Sequence, residues 1–407
     1  MLKIAFRNCL RNRKRTLLTA MAVFISIWVI VVIVALCDSM ITDTLVNTRE
    51  YSSGEIRVRE KLYTEYEEMM PLQYFIPDVD KKIEKIKAIK SVTNAYAHSS
   101  IYLSLYHNGT LKTVKSVGVD VTASPFIKGK DVKITAGSMI EKGEKAVLVT
   151  SKLLSAYSLE VGDNITLVSK TATGGTNGAT FKIKGEVSYN SSDLGDELIV
   201  MPIEELSKLS RMEGGALEIL IRTDEENLLK TQDEVIKVLS DDSLEVETWL
   251  STAILYAMLP LYDVMYLVIE ILFFFVASTL IFNTLMMSVM ERGREISTMV
   301  ALGFERRKVR FLFILEGFMI SLIGAIVGLI LSMLTMWIVS ITGINIEMLG
   351  GAGVSGWGFS KVLYFEVNTP LAIGISLVAL IISTFASFLA TGKIKKIEVA
   401  DALREEA

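Results

Sequence analysis

Histidine and cysteine are almost missing from this chain: its 407 residues include two of each, and neither pair builds a reactive centre. His98 and His107 form no H-E-x-x-H pair, so the common zinc-hydrolase arrangement is excluded. Cys9 and Cys37 flank an apolar run and fall on opposite membrane faces, so neither an internal disulfide nor dithiol redox chemistry is expected. No Gly-x-Ser-x-Gly elbow occurs. Gly-Lys occurs only as Gly129-Lys130-Asp131 and Gly392-Lys393-Ile394, and neither completes a phosphate loop with Ser or Thr after the lysine. With 6 prolines, 22% charged and 51% apolar residues, the chain is neither disordered nor collagen-like.

What is present is hydrocarbon. A mean hydropathy of +0.44 is high for a soluble enzyme, and the excess is concentrated in four runs. Leu17–Leu36, Val264–Met290 with Glu270, Phe311–Thr342 with Glu316, and Asn368–Gly392 each reach the ~20 residues that cross a bilayer. The basic start and long first run read as an uncleaved anchor, because no small-x-small cleavage site follows. Val34-Ala35-Leu36-Cys37 is not a lipoprotein box, since bulky Leu36 precedes the cysteine.

Charge sets the orientation. Residues 1–16, 291–310 and 393–407 together carry 16 basic and 7 acidic side chains, whereas 38–263 carry 25 basic and 35 acidic. Lys and Arg near span ends favour the cytoplasm, so both termini and the middle loop are expected inside and the acidic segment outside. The basic excess is an orientation signal and calls for no nucleic acid.

The fold class follows: a membrane α-helical protein of four transmembrane helices, with a large α+β extracytoplasmic domain inserted between helices 1 and 2. The expected order is a cytoplasmic amphipathic helix (1–16), span one (17–37), the outer domain (38–263), span two (264–290) and a cytoplasmic segment (291–310). Span three (311–342), a Gly-rich outer loop (343–369), span four (370–392) and a cytoplasmic tail (393–407) complete it.

In the outer domain, Ile83, Ile86 and Ile89 fall at helical spacing, and Ile101–Tyr106 and Leu111–Val119 flank the hairpin signal Asn108-Gly109. Further strands are expected at Ala146–Val149, Asn164–Val168, Ala179–Val187, Glu197–Met201 and Ala216–Ile221. Helices are expected at Ser151–Ser158, Ile203–Arg211 and Glu225–Leu239. Thr171–Gly178 reads as a mobile hairpin tip rather than a phosphate cradle. Gly351-Ala-Gly-Val-Ser-Gly356 spells a dinucleotide fingerprint without its βαβ context, and reads as a flexible loop.

The cytoplasmic segments suggest a machine. In Glu291–Arg310, Ile296, Met299 and Val300 sit at i, i+3 and i+4, Arg292 and Glu295 share a neighbouring face, and Gly303 is placed to end a short amphipathic helix. At the start, Lys3, Arg7, Arg11 and Lys14 recur beside Leu2, Phe6, Cys9 and Leu10, the pattern of a helix on the inner membrane surface.

Several stretches carry a resemblance to a known family. They are Met1–Thr19, Arg294-Glu-Ile-Ser-Thr-Met-Val-Ala-Leu-Gly303 with Arg306-Arg307, Phe311-Leu-Phe-Ile-Leu-Glu-Gly317 and Val399-Ala-Asp-Ala-Leu-Arg404. In the outer domain, Ala146–Ser155 and Leu159–Asp163 add to it. The chain resembles ABC transporter permeases of the MacB/FtsX-like superfamily, with lipoprotein-releasing permeases nearest; Val399 stands where the family commonly has proline. The resemblance implies a permease without a nucleotide site of its own, ATP and Mg being bound by a separate ATPase subunit. It further implies a second permease subunit, in a homo- or heterodimer, and motion transmitted to the outer domain rather than a channel. By it, Arg292, Arg294, Glu295, Ile296, Met299, Val300, Gly303, Arg306 and Arg307 couple the permease to the ATPase. The implied cargo is a lipoprotein, a peptide or another hydrophobic molecule. A drug or peptide exporter, and a regulator of an outer cell-wall hydrolase, are the alternatives. The implied location is the cytoplasmic (inner) membrane.

Three features inside the spans remain. Gly324 and Gly328 form a small-xxx-small face that could pack within the subunit or across a dimer. Glu316, six residues past Arg310, is expected to snorkel or to meet an arginine rather than carry ions. Glu270 lies about 10 Å inside the second span, and is expected either to face a dimer seam or lateral opening and respond to substrate or conformational state, or, as an interfacial carboxylate, to reach outer water.

Overall fold

The structure, a computed structural model, describes residues 13–107, 109–129, 132–191, 194, 197–251, 253–346 and 360–392. The expected N-terminal amphipathic helix, the Gly351–Gly356 stretch and the C-terminal tail lie largely or wholly outside those residues. The chain forms two compact units: Met1–Ser39, Leu259–Ile344 and Tyr364–Ala407 in one, Met40–Met258 and Asn345–Leu363 in the other.

The first helix, α1 (Arg13–Thr48), is uninterrupted and extends past the expected span at 17–37. Beyond it the chain builds a ten-stranded mixed sheet. Its strands are β1 (Ile56–Glu60), β2 (Val92–His107), β3 (Thr110–Val119), β4 (Val132–Gly137) and β5 (Ala146–Thr150). They continue with β6 (Asn164–Lys170), β7 (Thr176–Tyr189), β8 (Leu198–Pro202), β9 (Glu218–Thr223) and β10 (Leu244–Thr248). The order is β10-β1-β9-β2-β3-β8-β5-β7-β4, with β6 bridging β2 and β7. Only β3 with β8 and β5 with β7 pair in parallel among the described residues. The β2–β3 turn forms at the predicted place, His107 facing Thr110 across it and Gly109 at φ +79°. Thr171–Gly175 likewise turns β6 into β7.

Four helices pack on this sheet: α2 (Val79–Lys87), α3 (Ser151–Tyr157), α4 (Ile203–Ser210) and α5 (Leu228–Leu239). Ile83 and Ile86 of α2 join Leu228 and Val235 of α5 over Ile56, Val58, Ile219 and Ile221. Leu153 and Leu206, from α3 and α4, cover Leu103, Leu105, Ile165 and Phe181.

The sequence reading missed three strands of this sheet, β1, β4 and β10. In β1, Ile-Arg-Val-Arg-Glu, Ile56 and Val58 fill the core while Arg57 and Arg59 are also buried, on the opposite face. The two guanidiniums share Glu247 of β10 at 3.2 and 3.1 Å, Arg59 lies 2.8 Å from Glu67, and Glu218 of β9 stands 3.8 Å from both. Burial pushes the Glu218 carboxyl above its usual range, and the two arginines only partly offset it. Alternating charge reads as a solvated strand; here it forms a paired interior layer, which periodicity alone does not reveal.

The second outer segment is hydrogen-bonded to the domain where it is described. Lys361 N–H donates to the Asn190 carbonyl at 2.7 Å, and the Asn190 side chain exchanges hydrogen bonds with Val362. Ser360 donates from its backbone N–H and, at 2.9 Å, from its hydroxyl to the Asp43 carboxylate, which also accepts from Asn47. Residues 360–362 are thus hydrogen-bonded to the domain, while the Gly351–Gly356 stretch read as a flexible loop lies outside the described residues.

After the sheet come α6 (Ala253–Glu291), α7 (Gly293–Ala301), α8 (Arg306–Thr342) and α9 (Thr369–Ala390). Among the described residues three helices are long and apolar enough to cross a membrane: Thr16–Ser53, Arg306–Thr342 and Thr369–Ala390. The other expected span falls within α6, many of whose side chains, Glu270 included, lie outside the described residues.

Lipid provides no hydrophobic force to join such helices, so close backbone approach and interhelical hydrogen bonds must do so. The packed face of α9 is accordingly small: Ala372, Ser376, Ala379, Ser383, Ala386 and Ala390 are all buried. A Cβ on Gly324 would stand 2.8 Å from the Ala20 carbonyl oxygen and from Val23 Cβ, and one on Gly328 about 3.1 Å from Phe24 O and Ile27 Cβ. The small-xxx-small face thus packs within the subunit, against α1, where Trp28 Nε1 also donates to Thr335 Oγ1 at 3.0 Å.

Two predictions follow from this packing and from the domain's histidine. Gly324→Val should force α1 from α8 and cost about 1–3 kcal/mol, lowering the thermal midpoint in detergent; Gly374→Ala, with nothing within 4 Å of its new methyl, should not. His98 of β2 is buried and stacked on Phe126, and burial, with Lys115 and Arg57 adding, drives its pKa down to about 3 from 6.5. Its neutral form therefore contributes stability that is complete above about pH 6.5 and is lost as pH falls toward 3, by up to about 1.4 kcal/mol per pH unit. Hydrogen exchange of β2 amides in the full chain should show this slope, and the difference between wild type and His98→Phe isolates it from the opposing titration of Glu218.

Candidate coupling site

The segment between α6 and α8 is organised by one buried cation. Arg292 occupies the turn before α7, and its Nη1 donates to both carboxylate oxygens of Glu316 at 2.8 and 2.7 Å. Its Nε donates to Glu295 Oε2 at 2.6 Å, and its guanidinium carbon lies 4.6 Å from the centre of the Phe313 ring. The Arg292 and Glu316 side chains are 6% and 4% exposed. Burial opposes the charge on Arg292, but Glu316 and Glu295 outweigh it and hold its pKa above the ordinary guanidinium value. Glu316 thus meets the expected arginine, which proves to be Arg292, 24 residues earlier in the chain, rather than the nearer Arg310.

The apolar stripe of α7 faces the same way. Ile296 is 1% exposed and packs with Val309 and Phe313 of α8, with Met299 and Val300 alongside. Spacings of 4 and 3 put Val309, Phe313 and Glu316 on one face of α8, so the cation, its carboxylate and the apolar lid coincide.

Gly303 ends α7 as the sequence predicts, and the geometry is a Schellman motif. Phe304 N–H donates to the Met299 carbonyl at 3.1 Å and Gly303 N–H to the Val300 carbonyl at 3.0 Å, with Gly303 at φ +91°. That reversal turns Leu302 and Phe304 outward, 75% and 54% exposed, beside exposed Arg306 and Arg307. Sequence reasoning passed over Leu302 and Phe304; the available signal was a pair of apolar residues flanking a helix-ending glycine in a basic loop. Arg294 lies on the backbone of α7, its side chain outside the described residues. The pair Gly324 and Gly328 lies further along α8 and belongs to helix packing.

Among the described residues no cluster of His, Cys, Asp and Glu could hold a metal. The arrangement has a mechanical capacity: a short helix held to the foot of a membrane helix by an ion pair and an apolar patch, presenting an exposed turn.

Comparison with known proteins defines the class. Residues 16–238 match the MacB-like periplasmic core domain and residues 267–399 the FtsX-like permease C-terminal region. The chain belongs to this MacB/FtsX family of ABC transporter permeases, a class that works with an ATPase. Among individual relatives, it is 22% identical to an ABC transporter permease of Methanocaldococcus jannaschii, over 99% of this chain and 97% of that one. It is 26% identical to the lipoprotein-releasing system transmembrane protein LolC of Xylella fastidiosa, over 67% of this chain and 68% of that protein. It is 22% identical to the macrolide export ATP-binding/permease protein MacB of Campylobacter jejuni, over 81% of this chain but 52% of the relative.

Removing one member of a buried pair leaves the other charge unpaired, at a cost of about 3–5 kcal/mol. Glu316→Ala should therefore raise hydrogen exchange across Gly293–Val309 by at least tenfold, whereas Arg292→Met with Glu316→Leu, which removes both charges, should restore most of the protection.

Proposed function

We propose that this chain is the permease subunit of an ABC transporter, relaying ATP-driven motion from a separate ATPase subunit across the membrane to its outer domain. The observation that carries the reading is the coupling segment. A helix fixed to α8 by Arg292 and Glu316 passes a push on its exposed turn directly to a membrane helix. In this scheme Ile296, Met299, Val300 and Arg292 position the segment, while Leu302, Phe304, Arg306, Arg307 and Glu295 meet the ATPase. ATP and Mg would be bound by that partner, in keeping with the lack of a complete Walker A motif in this sequence. The likeness to MacB supports the same division, since that relative combines ATP-binding and permease parts and this chain spans about half its length.

Four spans, cytoplasmic termini and a large domain outside the inner membrane complete the proposal, supported by the basic inner segments and the acidic outer one. So do pairing with a second permease subunit and release of a lipoprotein as the activity, the latter supported by the likeness to LolC. Export of a drug or peptide is the alternative that the MacB relative favours, and control of a cell-wall hydrolase is the non-transporting one.

The test is affinity capture of the tagged chain from mild detergent, with ATP hydrolysis of the captured material as the readout. Wild type should bring down an ATPase. Leu302→Asp with Phe304→Asp, and separately Glu295→Lys with Gly303→Leu, should lower captured activity at least tenfold. The Leu302/Phe304 change should do so without increasing exchange in α7. Unchanged capture by both variants would remove this segment from the ATPase interface, and no ATPase with wild type would remove the function.

A further inference from the structure

A groove opens between α8 and α9, about 460 Å3 in volume and lined by Ile314, Phe318, Ile381, Thr384, Phe385 and Phe388. Thr384 is the only polar group among these, and its hydroxyl donates to the Leu380 carbonyl at 2.7 Å, so the groove offers a ligand no donor. An alkyl chain fits that chemistry.

The basic end of the groove is different. Arg310 lies one turn before Ile314, its guanidinium carbon 4.1 Å from the centre of the Phe388 ring, and its Nη2 donates to the Phe388 carbonyl at 3.0 Å. Nε is buried and unpartnered, so the donors left for an anion are on Nη1 and Nη2, and no carboxylate pairs with Arg310 among the described residues. The neighbouring acids are engaged elsewhere: Glu316 by Arg292, and Glu305 by Lys308 at 3.3 Å. A guanidinium held against a ring at the margin of hydrocarbon keeps donors for an anion and gains from having one.

The dimensions agree. From Arg310 through Ile314 to Phe318 is eight residues, or about 12 Å of helix, most of the ~15 Å of one leaflet in a ~30 Å core. We propose that this groove binds one anionic phospholipid, its phosphate on the Arg310 guanidinium and an acyl chain laid against Phe318, Phe385 and Phe388.

Native mass spectrometry of the full chain tests it, with phosphatidylglycerol and phosphatidylcholine of identical acyl chains added to delipidated protein. Wild type should retain phosphatidylglycerol about fivefold better. Arg310→Gln should abolish the preference, Arg310→Lys should keep part of it, and Arg307→Gln, on the same basic turn, should leave it intact. Thr384→Trp, which fills the groove, should lower retention of both lipids at least threefold, with the thermal midpoint showing that the variants remain folded. Equal retention of the two lipids by wild type would overturn the proposal. So would equal losses in Arg307→Gln and Arg310→Gln, the mark of a diffuse basic surface. A Thr384→Trp chain that keeps its lipid but changes oligomeric state would assign the groove to contact between copies instead.

Discussion

A buried cation needs a buried anion, and among the described residues of the membrane unit Arg292 and Glu316 meet that requirement, with consequences for everything around them. A carboxylate ten residues into a membrane helix is costly unless it is paired. Pairing it with the residue just before α7 draws that short helix onto the foot of α8, where Ile296, Val309 and Phe313 close over the charges. The same contact leaves the Gly303 turn as the part of the segment that faces outward. The short helix α7 is held by two unlike interactions, a directional ion pair and a non-directional apolar patch.

The helices of that unit are joined by a second constraint of the same origin. In lipid, apolar side chains gain nothing from meeting one another, so the chain uses small ones to let backbones approach. Gly324 and Gly328 receive α1, and the alanines and serines of α9 form a narrow packed face, their hydroxyls turned back to carbonyls one turn earlier. The large residues of α9, such as Phe385 and Ile381, are left on the outside, where a membrane rather than protein is their natural neighbour.

The outer domain solves its own charge problem in a sheet. Arg57 and Arg59 are adjacent on one face of β1, and the antiparallel register with β10 sets Glu247 across from Arg57, while that with β9 sets Glu218 across from Arg59. Three carboxylates and two guanidiniums gather where hydrocarbon would be expected. This fixes register, because a one-residue slip would turn both arginines into the apolar core occupied by Ile56 and Val58.

The sequence by itself determined the long apolar runs, the sign of charge on each hydrophilic segment, the Asn108-Gly109 hairpin, the helix ended by Gly303 and the family. Each of these depends on neighbours within a few residues, on composition or on run length, which a linear reading registers. Only the tertiary structure decided which arginine meets Glu316, that Ile296, Met299 and Val300 face inward while Leu302 and Phe304 face out, and that Gly324 and Gly328 serve α1. It also decided that the polar-looking β1 is an interior strand. Those facts depend on which distant segments share a face, and burial of a charge is set by a partner that spacing along the chain does not name.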